Sequence, residues 1–162
     1  MAIVNNVTRL LDQRHIPYEV FELPAEKLGA RETAGLLGID PAIVFKTIVV
    51  ARDKPGKPLL VVVPGDSVVD LKQVAAAVGD KKVYLPTERE AETLTGLQAG
   101  GISPLALLNK GFRVVIDAAA QEHTHIHVSG GQRGLNVKVP LADLIKLTNA
   151  QLARVSRPEP GA

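Results

Sequence analysis

The fold is decided by two apolar stretches, Ile43-Val44-Phe45-Lys46-Thr47-Ile48-Val49-Val50-Ala51 and Leu59-Leu60-Val61-Val62-Val63. Both are rich in β-branched residues, which are typical of strands. Between them lies Asp53-Lys54-Pro55-Gly56-Lys57-Pro58, whose prolines and glycine favour a turn. The sequence therefore predicts two antiparallel strands joined by that turn.

The rest of the chain mixes short helices and strands without a repeat or a linker. Helical spacing and end signals predict helices at residues 5–14, 31–37, 70–78, 87–94 and 141–147. Further strands are predicted at 18–21, 112–116, 123–128 and 135–139, with a strand or helix at 152–156. Because the strands cluster in hairpin-like pairs, we expect one α+β domain over residues 1–156, with a mixed, mostly antiparallel, barrel-like sheet surrounded by helices. Residues 157–162 hold two prolines and a glycine and are predicted to form a flexible tail.

Composition excludes several classes of protein. The 162 residues are 46% hydrophobic and 22% charged, which excludes wholesale disorder. The apolar runs are too short to span a bilayer and the start lacks the pattern of a secretory signal, so we expect a cytoplasmic protein with no membrane contact. No cysteine is present, which excludes disulfides and a cysteine nucleophile. Nineteen basic against 17 acidic residues leave a net charge of +2, which is no general footprint of nucleic-acid binding.

The common phosphate-binding and nucleophile motifs are missing. The sequence has no G-x-x-x-x-G-K-[ST], no G-x-G-x-x-G and no G-x-S-x-G. The ordinary nucleotide-hydrolase, dinucleotide-binding and α/β-hydrolase interpretations therefore lose their main support.

Three histidines alternate at His123, His125 and His127. Alternate residues of a strand share a face about 6.6 Å apart, a spacing that metal ligands can use. The competing interpretation is an exposed, polar strand face. Because no carboxylate pattern points to the same place, we predict a surface strand, with no metal and no cofactor.

Lys46 interrupts an apolar strand row. Strand alternation places Lys46 on one face with Val44, Ile48 and Val50. A lysine there is costly unless its ammonium reaches water or a fixed acceptor. The alternative is a lysine that only extends to solvent from the strand end. A cation held over a pocket would suit a phosphate, a carboxylate or a polarised ester carbonyl.

Two glycine-bearing segments could supply backbone N–H donors to an anion or a carbonyl. They are Gly100-Gly101-Ile102-Ser103-Pro104 and Ser129-Gly130-Gly131-Gln132-Arg133-Gly134. The simpler interpretations are a surface loop for the first and a hairpin turn for the second.

Together these segments resemble one family. The set comprises Val44-Phe45-Lys46-Thr47, Thr95-Gly96 with Gly100-Gly101-Ile102-Ser103-Pro104-Leu105, Asp117-Ala118 with Ala120-Gln121-Glu122, and Val128-Ser129-Gly130-Gly131-Gln132-Arg133-Gly134-Leu135. In order and spacing it resembles the bacterial YbaK-type Cys-tRNA(Pro) deacylases, which belong with the editing domain inserted in bacterial prolyl-tRNA synthetases. The resemblance runs from about Asn5 to Arg154. The segment 100–104 matches the family's G-x-x-x-P loop, and Lys46 falls on its most characteristic lysine.

The resemblance implies a free-standing trans-editing enzyme that hydrolyses the ester joining cysteine to proline tRNA. Cysteine and proline are close in size, so one small pocket separates them by too little free energy for high fidelity. The family mechanism needs no protein nucleophile, since the substrate thiol attacks the ester carbonyl and leaves as a cyclic thiolactone. The implied partner is the acceptor end of tRNA(Pro) charged with cysteine. The low net charge predicts weak affinity for tRNA, so we expect capture of the substrate through a complex with prolyl-tRNA synthetase.

The resemblance also implies roles for residues. Lys46 would be catalytic, contacting the terminal phosphate or the ester region, and the Gly100-Gly101 backbone would hold the carbonyl or amino group. Ser129 and the following glycines would line the pocket. The implied substrate-binding set is Tyr18, Ala30, Gly100, Gly101, Ile102, Ser103, Pro104, Ser129, Gly130, Gly131 and Arg133.

The chain departs from the family pattern at three positions, and two rival functions remain open. Ala106 stands where glycine is commoner, Gln132 replaces a lysine and Asn136 replaces a frequent aspartate. The lost lysine puts the strength of tRNA binding in doubt more than the chemistry. The rivals are a deacylase for another mischarged tRNA, such as Ala-tRNA(Pro), and a catalytically idle module that binds tRNA or a synthetase.

Overall fold

The computed structural model describes residues 3–160 as one α+β domain. Its helices are α1 (Asn6–Gln13), α2 (Ala30–Leu37), α3 (Leu71–Val78), α4 (Glu88–Thr95) and α5 (Leu141–Thr148). Its strands are β1 (Glu19–Glu22), β2 (Phe45–Arg52), β3 (Leu59–Pro64), β4 (Ser67–Val69), β5 (Val83–Tyr84), β6 (Arg113–Asp117), β7 (His125–Ser129), β8 (Leu135–Pro140), β9 (Gln151–Ala153) and β10 (Ser156–Pro158). Two 3₁₀ helices, Pro41–Ile43 and Ala118–Glu122, complete the set.

The predicted helix ends are confirmed by their caps. The Asp70 carboxylate accepts the N–H groups of Lys72 and Gln73 and begins α3. Thr87 and Glu90 form the expected capping box at the start of α4. Gly79 and Gly96, both in the left-handed region, end α3 and α4 after eight residues each.

The central sheet has the order β5-β2-β3-β6-β9. The pair β2–β3 is antiparallel, as predicted, with Lys46 opposite Val63 and Val50 opposite Leu59. The β3–β6 and β6–β9 pairs are parallel, so the sheet is mixed.

A second sheet, β1-β8-β7, is antiparallel throughout. A single bridge between Val44 and His127 connects it to the central sheet. Within residues 3–160 the sheets remain open and do not close into a barrel, which corrects that part of the expected architecture.

Both faces of the central sheet are buried, which explains the continuous apolar run in β3. One face, with Val61 and Val63, packs under Val74 of α3. The other face, with Leu60 and Val62, packs against the second sheet, α1 and α5. Every residue of β3 is buried. Uninterrupted apolar sequence is what a doubly covered strand requires.

A strand, β10, begins the segment for which the sequence predicts a tail. Buried Asp117 accepts hydrogen bonds from the Val155 N–H and the Ser156 hydroxyl, both at 2.9 Å. This anchor divides the last predicted element into β9 and β10, and β10 pairs antiparallel with β4. Of the tail predicted at residues 157–162, Arg157 and Pro158 lie in β10, while residues 161 and 162 lie outside the described part.

No helix within residues 3–160 combines the length and apolar character that crossing a bilayer would require.

Candidate functional site

A cleft of about 540 Å³ runs along one edge of β2. Strand β5 covers that edge only at Ala51 and Arg52, and the second sheet reaches it only at Val44. Among the described residues, no strand pairs with residues 45–50 on that side. The cleft floor is therefore an unpaired strand edge, whose backbone N–H and C=O groups are available to a ligand.

The cleft walls are mainly apolar, with a few polar groups between them. Such a mixture is typical of a small-molecule site. Its lining includes Leu23, Leu28, Ala30, Thr33, Lys46, Thr47, Leu85, Gly100, Ile102, Ser129, Leu135 and Asn136.

Lys46 lies in this cleft, half-buried, on the sheet face that strand alternation predicted. Burial of its ammonium lowers the pKa of Lys46, the nearby Arg31 guanidinium adds to the lowering, and the carboxylates of Glu159 and Asp66 oppose it. Within residues 3–160, Lys46 makes no hydrogen bond or ion pair. A partly desolvated cation with unused donors is suited to bind an anion or an ester oxygen.

The two glycine-bearing segments pack against each other at the rim of the cleft. A Cβ on Gly101 would lie 2.9 Å from the Gln132 Cα, so only glycine permits this approach. Gly100 has φ of +90° and lines the cleft directly. The Arg133 guanidinium donates from Nε to the carbonyl oxygen of Ala99 over 2.7 Å. The loops are thus one unit, which fixes where the Gly100 backbone stands.

Ser129 and Ala30 also line the cleft. The Ser129 hydroxyl accepts the Gly131 N–H at 3.2 Å, which stabilises the turn between β7 and β8. Ala30 begins α2, and its Cβ is 2.8 Å from the position that a Cβ on Gly65 would take. The glycine therefore lets the start of α2 settle against the β3–β4 turn.

The structure places five of the predicted site residues in the cleft wall, namely Lys46, Ala30, Gly100, Ile102 and Ser129. It does not place the other seven there, namely Tyr18, Gly101, Ser103, Pro104, Gly130, Gly131 and Arg133.

Most of those seven residues stabilise the two glycine-bearing loops without lining the cleft. Ser103 is fully buried and its hydroxyl accepts the Leu105 N–H at 3.2 Å. Gly130 leaves room for the side chain of Leu135. Tyr18 lies apart, since its hydroxyl donates to Asp12 at 2.9 Å.

The histidine row is not a surface strand face, which corrects the prediction. His123 ends a 3₁₀ helix, so only His125 and His127 belong to β7. His125 is exposed, whereas His127 is buried under the ring of Phe21, with ring centroids 5.2 Å apart. Residues 3–160 contain no group of three or more His, Cys, Asp or Glu side chains that could hold a metal ion.

Two cleft residues were not identified as functional from the sequence. The Thr47 hydroxyl is buried and has no hydrogen-bond partner among residues 3–160. Asn136 is 5% exposed, lies opposite Ser129 in the β7–β8 register, and its Oδ1 is 2.8 Å from His127 Nδ1. Thr47 follows Lys46 directly, and the hairpin register pairs Asn136 with Ser129, so both signals were present in the sequence.

The site thus combines a half-buried lysine in an apolar cleft with two glycine loops that pack against each other, on an α+β scaffold. Residues 25–147 match the family model described as "Aminoacyl-tRNA editing domain", and the chain belongs to this family. The family resemblance read from the sequence is confirmed.

One sequence relative and two solved structures are similar to this chain over nearly its whole length. The chain is 35% identical over 156 residues to a protein of Enterococcus faecalis (strain ATCC 700802 / V583) named "Putative Cys-tRNA(Pro)/Cys-tRNA(Cys) deacylase EbsC", covering 95% of this chain and 94% of the relative. A solved structure described as "a putative trans-editing enzyme for prolyl tRNA synthetase" is 25% identical with a TM-score of 0.77, covering 96% of this chain and 99% of the other. The structure of "hypothetical protein APE2540" is also 25% identical, with a TM-score of 0.85 over 94% of this chain and 100% of the other.

Proposed function

We propose that this protein is a trans-editing deacylase that cleaves the aminoacyl ester of Cys-tRNA(Pro). The observation that carries the proposal is the position of Lys46, a partly desolvated cation in the cleft of an aminoacyl-tRNA editing domain. The names of the relative and of the solved structure support the same substrate class and the link to prolyl-tRNA synthetase.

The reaction begins with the thiol of the bound cysteine. After deprotonation its sulfur attacks the ester carbonyl carbon, the bond from that carbon to the tRNA 3′-oxygen breaks, and the released oxygen takes a proton. The products are uncharged tRNA and a cyclic thiolactone, which water then opens to cysteine. A thiol ionises far more readily than a hydroxyl, so the substrate brings a competent nucleophile.

The protein's part is to position and polarise. Lys46 holds the terminal phosphate or the ester region, and the Gly100 backbone holds the carbonyl or amino group. The Ser129 hydroxyl already accepts the Gly131 N–H, so its contribution is to the shape of the pocket. Donors fixed before the substrate arrives favour the charge that develops in the transition state.

Charge around the cleft bears on how the tRNA arrives. The lining holds the carboxylates of Glu26, Glu32 and Glu88 against the ammonium groups of Lys27 and Lys46. Affinity for a polyanion depends mainly on clustered cations. We therefore propose that the chain captures its substrate together with prolyl-tRNA synthetase in the cytoplasm, rather than by its own affinity.

The test is deacylation by the purified protein of proline tRNA charged with labelled cysteine or with labelled alanine. Cys-tRNA(Cys) serves as a third substrate, because the name of the Enterococcus faecalis relative includes it. We expect fast release of cysteine from tRNA(Pro) and slow release of alanine. Preferred release of alanine would show the rival deacylase, and binding without single-turnover cleavage would show an idle binding module.

A further inference from the structure

His127 and Asn136 form a buried pair beside the cleft that the proposed mechanism does not use. His127 Nδ1 lies 2.8 Å from Asn136 Oδ1, and the two side chains are 4% and 5% exposed. Both stand on the face of the second sheet that carries Ser129, because Asn136 is opposite Ser129 and His127 is two residues before it. Asn136 lines the cleft.

The charge state of His127 decides the direction of this hydrogen bond. Burial lowers the pKa of His127, and Lys138 adds to the lowering, while the bond to Asn136 and the Glu19 carboxylate oppose it. Burial therefore favours the neutral ring, which carries one N–H. Since Asn136 Oδ1 can only accept, that proton must be on Nδ1.

The amide group of Asn136 is then oriented. With Oδ1 occupied by His127, its Nδ2 carries two N–H donors, and Nδ2 makes no hydrogen bond within residues 3–160. Asn136 lines the cleft, and Nδ2 is the side-chain donor that it has left for a ligand there. A fixed and unused donor in an apolar cleft is suited to bind an acceptor atom of a ligand.

We propose that His127 is a positioning residue that fixes the Asn136 amide, and that the Asn136 Nδ2 group donates a hydrogen bond to an oxygen of the bound aminoacyl ester. The proposal rests on the proposed deacylase function for the identity of the ligand. His127 does not itself line the cleft, so its effect on the ligand passes through Asn136.

The first experiment needs neither turnover nor a variant. In protein labelled uniformly with ¹⁵N, we expect the His127 ring to be neutral with the proton on Nδ1. A proton on Nε2 would overturn the proposal, because the Asn136 amide would then donate to the histidine and present its oxygen to the cleft. As ligand probe we choose adenosine carrying cysteine through a 3′-amide, which resists hydrolysis. It should shift the Asn136 side-chain amide signals, and unchanged signals would also overturn the proposal.

The second experiment is a double-mutant cycle on Cys-tRNA(Pro) deacylation. Asn136→Ala should lower kcat/KM about tenfold or more, and His127→Phe should lower it severalfold by releasing the amide. In the Asn136→Ala background, His127→Phe should have no further effect, since the two residues act as a unit. His125→Phe on the same strand is the matched control, because His125 is exposed and its ring, within residues 3–160, bonds only to the Thr124 hydroxyl. Additive losses, or a loss in His127→Phe that follows its melting temperature alone, would overturn the positioning role. A wild-type protein that takes up the probe as expected but does not deacylate would instead contradict the proposed function.

Discussion

Arg133 is joined to Ala99 by a 2.7 Å hydrogen bond from guanidinium Nε to carbonyl oxygen, across 34 residues of sequence. The bond connects the β7–β8 turn to the loop that carries Gly100. Because Gly100 lines the cleft and Arg133 does not, the bond acts on the site from outside it. The segment 129–134 therefore acts on the site by fixing the position of the segment 100–104.

Arg133→Ala should lower the rate of deacylation clearly while lowering the free energy of unfolding only slightly. Loss of the bond frees the Gly100 loop, and small displacements of positioning groups can cost large factors in rate. We expect kcat/KM to fall by roughly tenfold, and the free energy of unfolding to fall by about 1 kcal/mol. Arg113→Ala, which removes an exposed bond to Gln151, is the control and should leave the rate unchanged. An unchanged rate in Arg133→Ala would contradict the coupling of the loops.

Gly101→Ala should separate the same two loops. The new Cβ would lie 2.9 Å from Gln132 Cα and 3.1 Å from the Arg133 nitrogen, and these backbone atoms cannot rotate away. Overpacking of this kind costs about 1–3 kcal/mol, and activity should fall with it.

Gly35→Ala is the matched control for that substitution. A Cβ on Gly35, in helix α2, meets nothing within 4 Å. It should raise the free energy of unfolding by about 0.5–1 kcal/mol, because alanine is the better helix former. Chemical denaturation and kcat/KM measured on both variants test the pair. Equal behaviour of the two variants would show that the close approach at Gly101 is not important.

Asp80 should make stability depend on pH in the acid range. The Arg52 guanidinium donates to both Asp80 oxygens at 2.8 Å, which holds the pKa of Asp80 well below its usual range, and Lys54 adds to the effect. A carboxyl group with a lowered folded-state pKa stabilises above its unfolded pKa of about 3.9, and the stabilisation is lost as the pH falls below that value.

Asp80→Asn should therefore lower the free energy of unfolding by roughly 1–3 kcal/mol at neutral pH. The difference from wild type should shrink as the pH falls below about 4. Urea unfolding at several pH values measures it. Glu88→Gln, which breaks the exposed pair with Lys27, is the control and should show little difference at any pH. A difference for Asp80→Asn that stays constant down to low pH would contradict the electrostatic account.

Replacing the substrate's sulfur by oxygen should slow the reaction. Ser-tRNA(Pro) has nearly the size of Cys-tRNA(Pro), so the cleft should admit both, but a hydroxyl is far less ionised than a thiol near neutral pH. We expect a much lower single-turnover rate for the serine substrate at comparable binding. Equal rates would contradict attack by the substrate thiol and would favour an activated water.

Much of the fold follows from local signals in the sequence. The β2–β3 hairpin comes from two β-branched runs around a proline-rich turn. The first residues of α3 and α4 are set by the N-caps Asp70 and Thr87. The last strand, β10, does not follow in this way. It depends on Asp117, which accepts from Val155 and lies 38 residues before it. Local sequence patterns do not predict a hydrogen bond between residues so far apart in the chain.

In the candidate site, too, local patterns predict some features and long-range packing decides the others. Strand alternation placed Lys46 on the correct face, because the period of a strand is fixed. The same rule could not tell that His127 is buried, since the cover comes from Phe21 on β1, two strands away in the sheet. Nor could spacing show that Gly101 packs against Gln132 and that Arg133 is not part of the cleft lining.

Lys46→Ala provides the most direct test of the site. Burial is the largest influence on the Lys46 ammonium and lowers its pKa, so the folded protein bears a cost for keeping the charge there. Removing that charge should leave the free energy of unfolding nearly unchanged. Deacylation should nevertheless fall by about 10² or more, which is the scale for loss of one preorganised electrostatic contact. Lys46→Arg should restore little, because a planar guanidinium does not replace a compact ammonium in a confined cleft.

The control for Lys46 is Lys72→Ala, at an exposed position on α3, which should change neither quantity. Single-turnover cleavage of Cys-tRNA(Pro) and thermal unfolding would be measured on all four proteins. If Lys46→Ala keeps its activity but unfolds at lower temperature, the lysine is structural and the site assignment is wrong. If Lys46→Ala loses activity and unfolds at the wild-type temperature, the buried ammonium of Lys46 acts on the substrate and not on the stability of the fold.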